Sequence, residues 1–193
     1  MVEAYSNGWF PMADSAGDEE LYWYAPKHRG VLPLDGFHVP RKLAKFRRNM
    51  SWQIKEDYQF QRVVEYCAEA TADRPSTWIN ANLIDLYIQL YECGYAHSVE
   101  CYDGDILIGG LYGMAIGGAF FGESMFSRRS NASKIALVEL VEKLRARGFV
   151  LLDTQFVNDH LRQFGVEEIT QSDYMERLSH ALKVKNTWEK NEY

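Results

Sequence analysis

Apolar residues recur every three or four positions in six stretches of the chain, which is the period of a helix with one buried face. Gly94 and Gly148 follow two of these stretches and are natural helix-ending residues. The Ser and Asn residues at 130–133 predict an N-terminal cap for the most apolar stretch. The predicted helices span residues 41–48, 60–70, 80–91, 134–147, 158–164 and 173–184.

Other stretches alternate between apolar and polar side chains, which is the period of a strand. The pair Asp103-Gly104 separates two such stretches and predicts a tight turn, so the central strands should form an antiparallel meander. A meander with helices before and after it is typical of an α+β fold, although the periodicity leaves the strand order open. The predicted strands span residues 52–55, 97–102, 106–113, 119–126 and 149–156.

The N-terminal part differs in composition from the rest. Residues 1–37 are rich in Gly, Pro and aromatic side chains, and they carry an acidic patch at 14–20. This pattern predicts short strands and turns that pack on a neighbouring unit. We therefore expect a small N-terminal β-rich segment at 1–37 and a catalytic domain at 38–193.

The composition narrows the class of protein. With 47% hydrophobic residues in a chain of 193, a sizeable core is expected, yet no apolar run approaches the roughly 18 residues of a membrane span. The first residues lack the features of a signal peptide, so the sequence predicts a soluble, cytoplasmic protein. Three cysteines without metal-ligand spacing are expected to be buried, reduced thiols, and we expect neither a metal nor a cofactor.

The distribution of basic residues bears on nucleic-acid binding. The net charge of −6 argues against general binding to nucleic acids, because phosphate contacts need clustered Lys and Arg, so any RNA contact should be local. The run at 41–48 is the only dense cationic stretch, and a second pair precedes the cap at 130–133. A solvated helix face explains the first run equally well. The candidate RNA contacts are Lys42, Lys45, Arg47, Arg48, Arg128 and Arg129.

Three polar residues interrupt otherwise apolar strands. Glu123 lies in an aromatic strand, and Asp153 and Gln155 alternate so that they share one face of another. Buried polar groups must either bond internally or take part in chemistry, and neighbouring strands would bring all three to one end of an apolar cleft. The alternative is that the two carboxylates simply pair with Arg128, Arg129 or a helix N-terminus.

Several separate motifs, in the same order along most of the chain, resemble one family: the bacterial leucyl/phenylalanyl-tRNA-protein transferases. The chain begins near the first motif, without the longer N-terminal lead of other members, so part of the tRNA or acceptor contact is expected to be absent. The motifs are Gly-Trp-Phe-Pro at 8–11, Pro-Ser-Thr-Trp-Ile at 75–79, His-Ser-Val-Glu at 97–100, Phe-Phe-Gly-Glu-Ser-Met-Phe-Ser-Arg at 120–128, Asp-Thr-Gln-Phe at 153–156 and Asn-Asp-His at 158–160.

The resemblance implies a fold and an activity. The implied fold is that of the N-acetyltransferase (GNAT) superfamily, with a central, mostly antiparallel sheet flanked by helices. The implied reaction moves Leu or Phe, with Met as a third candidate, from aminoacyl-tRNA to the N-terminal Arg or Lys of an acceptor protein, which creates an N-degron. Glu123, Asp153 and Gln155 form the implied catalytic centre. Gln155 would orient the reacting groups, Asp153 would support it or handle the proton, and Glu123 would hold a cationic amine; alternatively, the site only positions the substrates.

The resemblance also implies an apolar pocket for the aminoacyl side chain, because Leu and Phe can be selected only by burial and shape. The sequence departs from the family pattern at Met12, where many members have Trp. The relative preference for Leu, Phe and Met as the transferred amino acid is therefore left open. Each pocket position would also suit an ordinary core residue. The candidate pocket residues are Met12, Trp78, Leu111, Phe120, Met125, Leu140, Leu144 and Leu152.

Two other functions are alternatives for this sequence. An acyl-CoA-dependent N-acyltransferase of the same fold would need a Gly-rich loop for the pyrophosphate, and residues 127–133 contain no glycine. A non-catalytic module could instead recognise basic protein N-termini through Glu123 and Asp153 alone. Gln155 and the apolar pocket favour transfer over simple recognition.

Overall fold

One seven-stranded sheet organises the chain in the computed structural model, which describes residues 1–71, 75–185 and 188. The strand order is β4-β5-β6-β7-β8-β3-β9, and a separate two-stranded sheet pairs β1 with β2. All neighbours in the large sheet are antiparallel except β7 and β8. The strands are β1 (Phe10–Met12), β2 (Tyr22–Tyr24), β3 (His28–Val31), β4 (Gln53–Glu56), β5 (Ala96–Asp103), β6 (Ile106–Ile116), β7 (Ala119–Ser127), β8 (Leu151–Gln155) and β9 (Glu167–Thr170).

The helices lie close to where the apolar period predicts them. Asn80 caps one of them by accepting a hydrogen bond from the backbone N–H of Leu83 at 2.8 Å. The predicted cap at 130–133 is wrong in its chemistry, because the capping residue Asn131 has left-handed backbone geometry and its side chain makes no capping bond. The helices are α1 (Val2–Ser6), α2 (Arg41–Asn49), α3 (Phe60–Ala68), α4 (Ala81–Glu92), α5 (Ala132–Ala146), α6 (Asp159–Arg162) and α7 (Gln171–Ala181).

Two hydrophobic cores form on the two faces of the sheet. Helices α1, α3, α4 and α7 pack on one face, and α2, α5 and α6 pack on the other. Neighbouring residues on a strand point to opposite faces, so Phe121 joins the first core and Phe120 the second. The predicted α+β architecture with a mostly antiparallel sheet flanked by helices is confirmed.

The N-terminal part is more varied than its composition predicts. It begins with a five-residue helix, α1, which is too short for a periodic pattern to reveal. The small sheet of β1 and β2 fits the expected β-rich segment, but β3 lies in the large sheet between β8 and β9. The domain boundary at residue 37 therefore stays a prediction, and residues 72–74, 186–187 and 189–193 of the second unit lie outside the described residues.

Two simple predictions from composition can be compared with the structure. Cys67 and Cys101 are buried cysteines as expected, whereas Cys93 is exposed, because it follows the last turn of α4 on the surface. Within the described part of the chain, every helix is too short or too polar to cross a membrane.

Candidate functional site

A β-bulge places Glu123 at the centre of the site. In the pairing of β6 with β7, Tyr112 faces Ser124 and Gly113 faces Gly122, so Glu123 has no partner on β6. The bulge needs a glycine on the opposite strand, because a Cβ at Gly113 would collide with the carbonyl oxygen of Phe121. The extra residue changes the alternation of β7 and so redirects the Glu123 side chain.

Two tyrosine hydroxyls hold the buried Glu123 carboxyl group. Tyr5 of α1 donates to Oε1 at 2.6 Å, and Tyr87 of α4 donates to Oε2 at 2.7 Å. Burial raises the pKa of Glu123 to about 7, although the two hydroxyls and the nearby Gln155 amide oppose the shift. Glu123 can therefore exchange a proton near neutral pH.

Asp153 is already paired with a buried cation. Its carboxylate accepts two hydrogen bonds from Arg29, with Nε 2.9 Å from Oδ1 and Nη2 2.7 Å from Oδ2. The ion-pair alternative is thus right for Asp153 but names the wrong arginines, since neither Arg128 nor Arg129 is the partner. Asp153 is therefore held in an ion pair with Arg29 and does not stand free in the site.

Gln155 ends β8 in a backbone conformation that is rare for residues other than glycine. Its φ is 61°, and its backbone N–H donates to Asp153 Oδ1 at 2.8 Å. The side-chain amide lies near the Glu123 carboxyl group and lowers its pKa, yet its buried Nε2 finds no partner of full hydrogen-bond geometry among the described residues. A primary amide has two N–H groups, so one donor remains for a bound molecule beside the contact with Glu123.

A cavity of about 390 Å³ extends from Glu123 along the face of the sheet covered by α5. Four of the predicted pocket residues line it, namely Leu111, Met125, Leu140 and Leu152. The volume is within the range of small-molecule sites. In residues 1–71, 75–185 and 188, no three His, Cys, Asp or Glu side chains cluster as metal ligands.

The other four predicted pocket residues lie elsewhere. Phe120 and Leu144 are fully buried in the core beneath α5, but neither lines the cavity. Met12 and Trp78 pack against the core on the opposite face of the sheet. Neither residue lines this cavity, which sequence spacing alone does not reveal.

Several residues of the site were not identified from the sequence. Leu137 lines the cavity one helical turn before Leu140, and the α5 period contains that signal. Thr154 and His160 also line the cavity, and their Oγ1 and Nε2 atoms are buried without hydrogen-bond partners among the described residues. Tyr5, Tyr87 and Arg29 carry no local signal, because each reaches the site from a distant part of the chain.

The basic helix α2 presents most of its predicted cations to solvent. Lys42, Lys45 and Arg48 are exposed and form no ion pair within the described parts of the chain. Arg47 differs, because its guanidinium bonds Glu139 at 2.7 Å and also binds Glu142, which ties α2 to α5. Only the first three are free to meet a phosphate.

The second predicted cationic pair is already neutralised. Arg128 forms an ion pair with Glu69 at 2.7 Å and lies 3.8 Å from the centre of the Tyr66 ring. Arg129 forms an ion pair with Asp103. Any anion at this place would have to compete with these two acidic side chains.

Comparison with known proteins agrees with the resemblance seen in the sequence. The family model described as leucyl/phenylalanyl-tRNA protein transferase matches residues 31–179, and the model of its N-terminal domain matches residues 1–27. A leucyl/phenylalanyl-tRNA-protein transferase of Paramagnetospirillum magneticum is 54% identical over 182 residues, covering 94% of this chain and 87% of that protein. One of Cereibacter sphaeroides is 50% identical over 183 residues, covering 95% and 84%.

One solved structure, of L-PGS from Bacillus licheniformis, aligns over 93% of this chain and 60% of that chain. Its TM-score is 0.45 and its sequence identity is 10%, values too low to support an argument. The likeness to the N-acetyltransferase superfamily therefore stays a prediction.

Proposed function

The chain belongs to the leucyl/phenylalanyl-tRNA-protein transferase family, and we propose that it moves Leu or Phe to the N-terminal Arg or Lys of acceptor proteins. Met is a third candidate for the transferred amino acid. Membership in this family makes the chain an aminoacyltransferase that uses aminoacyl-tRNA and a protein. Addition of Leu or Phe would create an N-degron, and charged tRNA as donor substrate implies action in the cytoplasm.

One observation carries the proposal: the buried Glu123 lines a cavity of about 390 Å³ that leucine side chains also line. Leu111, Leu140 and Leu152 provide walls that a Leu or Phe side chain can contact by burial alone. A cationic amine would meet its opposite charge at Glu123. The two substrates of the transfer would thus meet where the apolar and acidic parts of the site join.

The reaction needs an unprotonated amine beside the ester carbonyl. The acceptor nitrogen attacks the carbonyl carbon, so a C–N bond forms and the bond from that carbon to the ribose oxygen breaks. The amine loses a proton and the ribose oxygen gains one. Glu123 with its pKa of about 7 would bind the ammonium form and accept a proton from it, and bringing the reactants together contributes most of the rate.

Gln155 would orient the reacting groups. Its side-chain Nε2 lies near Glu123 and has a second N–H that can donate to the ester carbonyl as negative charge develops on that oxygen. Asp153 would support Gln155 through the bond to its backbone N–H. The proton-handling alternative for Asp153 is less favoured, since accepting a proton would break its ion pair with Arg29.

The tRNA would lie against the exposed face of α2. Lys42, Lys45 and Arg48 offer unpaired positive charge for phosphates, whereas Arg47 would remain bound to α5. Since the whole chain carries a net charge of −6, this contact would be local. Arg128 and Arg129 would contribute only after leaving their acidic partners.

The proposal is tested by transfer of radiolabelled leucine from charged tRNA to a peptide with N-terminal Arg. We expect label on this peptide and none on the same peptide with its α-amine acetylated, because the acetylated nitrogen cannot attack the ester. A folded protein that labels neither peptide, but acetylates the first from acetyl-CoA, would contradict the proposal in favour of the acyl-CoA reading. Binding of the peptide without transfer would instead favour a recognition module.

A further inference from the structure

Arg29 is the largest fully buried side chain of the described structure, although it carries a positive charge. It lies on β3 and is only 1% exposed. Burial of a cation is unfavourable unless it is paired and hydrogen-bonded on all sides. A charged residue at this depth therefore needs an explanation beyond packing.

Each nitrogen of the Arg29 guanidinium group is hydrogen-bonded, and two aromatic rings lie beside the group. Its Nε and Nη2 bind the carboxylate of Asp153, and its Nη1 donates to the carbonyl oxygen of Gly8 at 3.0 Å. The rings of Phe10 and Tyr174 lie on it, each with its centre 4.5 Å from Cζ. Since every guanidinium nitrogen is bonded within the protein, we take its effect on the site to pass through Asp153.

Asp153 is in turn held at both oxygens. Oδ2 accepts a hydrogen bond from the Tyr174 hydroxyl at 2.6 Å, and Oδ1 accepts the backbone N–H of Gln155 at 2.8 Å. Burial and the Asp153 charge raise the pKa of Tyr174, so this hydroxyl remains a donor. Arg29 and Tyr174 thus fix the carboxylate of Asp153, and the other contact of that carboxylate is the backbone N–H of Gln155.

That last contact supports an unfavourable backbone conformation. A non-glycine residue with a φ of 61° pays a steric cost, which the bond from the Gln155 N–H to Asp153 offsets. On the neighbouring strand, Gly30 pairs with Gln155, and a Cβ there would come 2.8 Å from the carbonyl carbon of Phe156. The strand end at Gln155 thus needs both the close approach of Gly30 and the Asp153 acceptor.

We propose that Arg29 is a positioning residue for the transfer reaction. Together with Tyr174, it fixes the Asp153 carboxylate, which holds Gln155 in its left-handed conformation and aims the side-chain amide at the substrate ester. The inference rests on the proposed function, because it requires that Gln155 meets the substrate. Arg29 itself touches neither tRNA nor acceptor, so its replacement should affect rate and leave substrate binding nearly unchanged.

The test is Arg29→Lys, which keeps the charge but cannot form the two-pronged bond to Asp153. We expect the single-turnover transfer rate at saturating substrate to fall by about 10- to 100-fold, as for small misplacements of a reacting group. The dissociation constant for charged tRNA should change by less than about 3-fold, far below the loss expected when a direct contact is removed. A folded Arg29→Lys protein with the native rate would overturn the proposal.

A double-mutant comparison separates positioning from a general structural role. If Arg29 acts through Gln155, then Arg29→Lys should cause no further loss of rate in a Gln155→Ala protein. Equal losses in both backgrounds would show that Arg29 acts on something else, and the proposal would fail. A native rate for Gln155→Ala would also overturn it, since Arg29 would then have no group to position.

Two further variants keep the test decisive. Arg177→Lys, at an exposed ion pair on α7, makes the same chemical change and should leave the rate unaltered. If Arg29→Lys does not fold, Tyr174→Phe removes one hydroxyl from the same carboxylate, and a native rate in that variant would overturn the proposal. Lack of transfer by the unmodified protein would reject the proposed function itself, which keeps the two failures distinguishable.

Discussion

The hydroxyl oxygens of Tyr5 and Tyr87 lie 2.9 Å apart, and each hydroxyl is also hydrogen-bonded to a different oxygen of Glu123. The three groups form a closed ring with three short contacts. The two hydroxyl donors favour the ionised carboxylate, whereas burial favours the protonated form. Burial is the larger effect, so the pKa of Glu123 is raised to about 7.

The first prediction concerns the pH dependence of transfer. Glu123 must be ionised to hold an ammonium group, so the single-turnover rate should rise with pH through about 7. Tyr87→Phe removes a donor that lowers this pKa, so the rise should move to higher pH. Rates measured from pH 5 to 9 check this. An identical profile for the variant would exclude Glu123 as the titrating group.

The second prediction concerns stability. The pKa of Glu123 is raised in the folded state to about 7 from an ordinary 4.5, so the folded protein binds more protons between these values. The contribution to the free energy of unfolding is full below pH 4.5 and is lost as pH rises through 7, by on the order of 3 kcal/mol. Denaturant unfolding at several pH values should show that the free energy of unfolding falls more steeply with pH for the native protein than for Glu123→Gln. Parallel pH curves would contradict it.

The third prediction concerns Gln155, whose buried amide nitrogen has no partner of full hydrogen-bond geometry in the described part of the chain. Gln155→Ala should lower the transfer rate at saturating substrate by on the order of 100-fold, which is about 2.7 kcal/mol of barrier. Binding of charged tRNA should change much less, because the amide acts on the developing charge. Rate and affinity are measured on the same folded sample. A native rate would show that the Gln155 amide takes no part in the reaction and that the site only positions the substrates.

The fourth prediction separates two leucines of α5. Leu140 lines the cavity, whereas Leu144 is buried just beyond it. Both Leu140→Ala and Leu144→Ala should lower the free energy of unfolding by about 2–5 kcal/mol. Only Leu140→Ala should alter the relative transfer rates of Leu, Phe and Met, because only that variant enlarges the cavity. A similar change of preference in both variants would mean that the pocket extends further than the cavity.

The fifth prediction concerns the basic helix. Reversing the charge in Lys42→Glu with Lys45→Glu should weaken tRNA binding and flatten its dependence on salt, since fewer counterions are released. Arg47→Glu should instead destabilise the fold, because it opposes Glu139 and Glu142 across the contact with α5. Affinity at several salt concentrations and thermal unfolding separate these effects. An unchanged salt slope in the double variant would place the tRNA elsewhere.

Local sequence patterns account for most of the secondary structure and single out three polar strand residues of the candidate site. Helices such as α4 follow from a 3.6-residue apolar period, the Asn80 cap and Gly94, all of which act within a few residues. Glu123, Asp153 and Gln155 stood out because polar groups in apolar strands are unfavourable without a purpose. Four of the pocket residues that the family resemblance implies line the cavity, and their role in selecting the amino acid stays a prediction.

The partners of these groups follow from the three-dimensional fold. Tyr5 reaches Glu123 across 118 positions and Arg29 reaches Asp153 across 124, and no local pattern connects residues so far apart. The bulge at Glu123 changes which side chains of β7 share a face, so counting alternate positions along the strand fails there. Burial is non-directional: the sequence shows that Met12 and Trp78 should be covered, but only the packed sheet decides on which face.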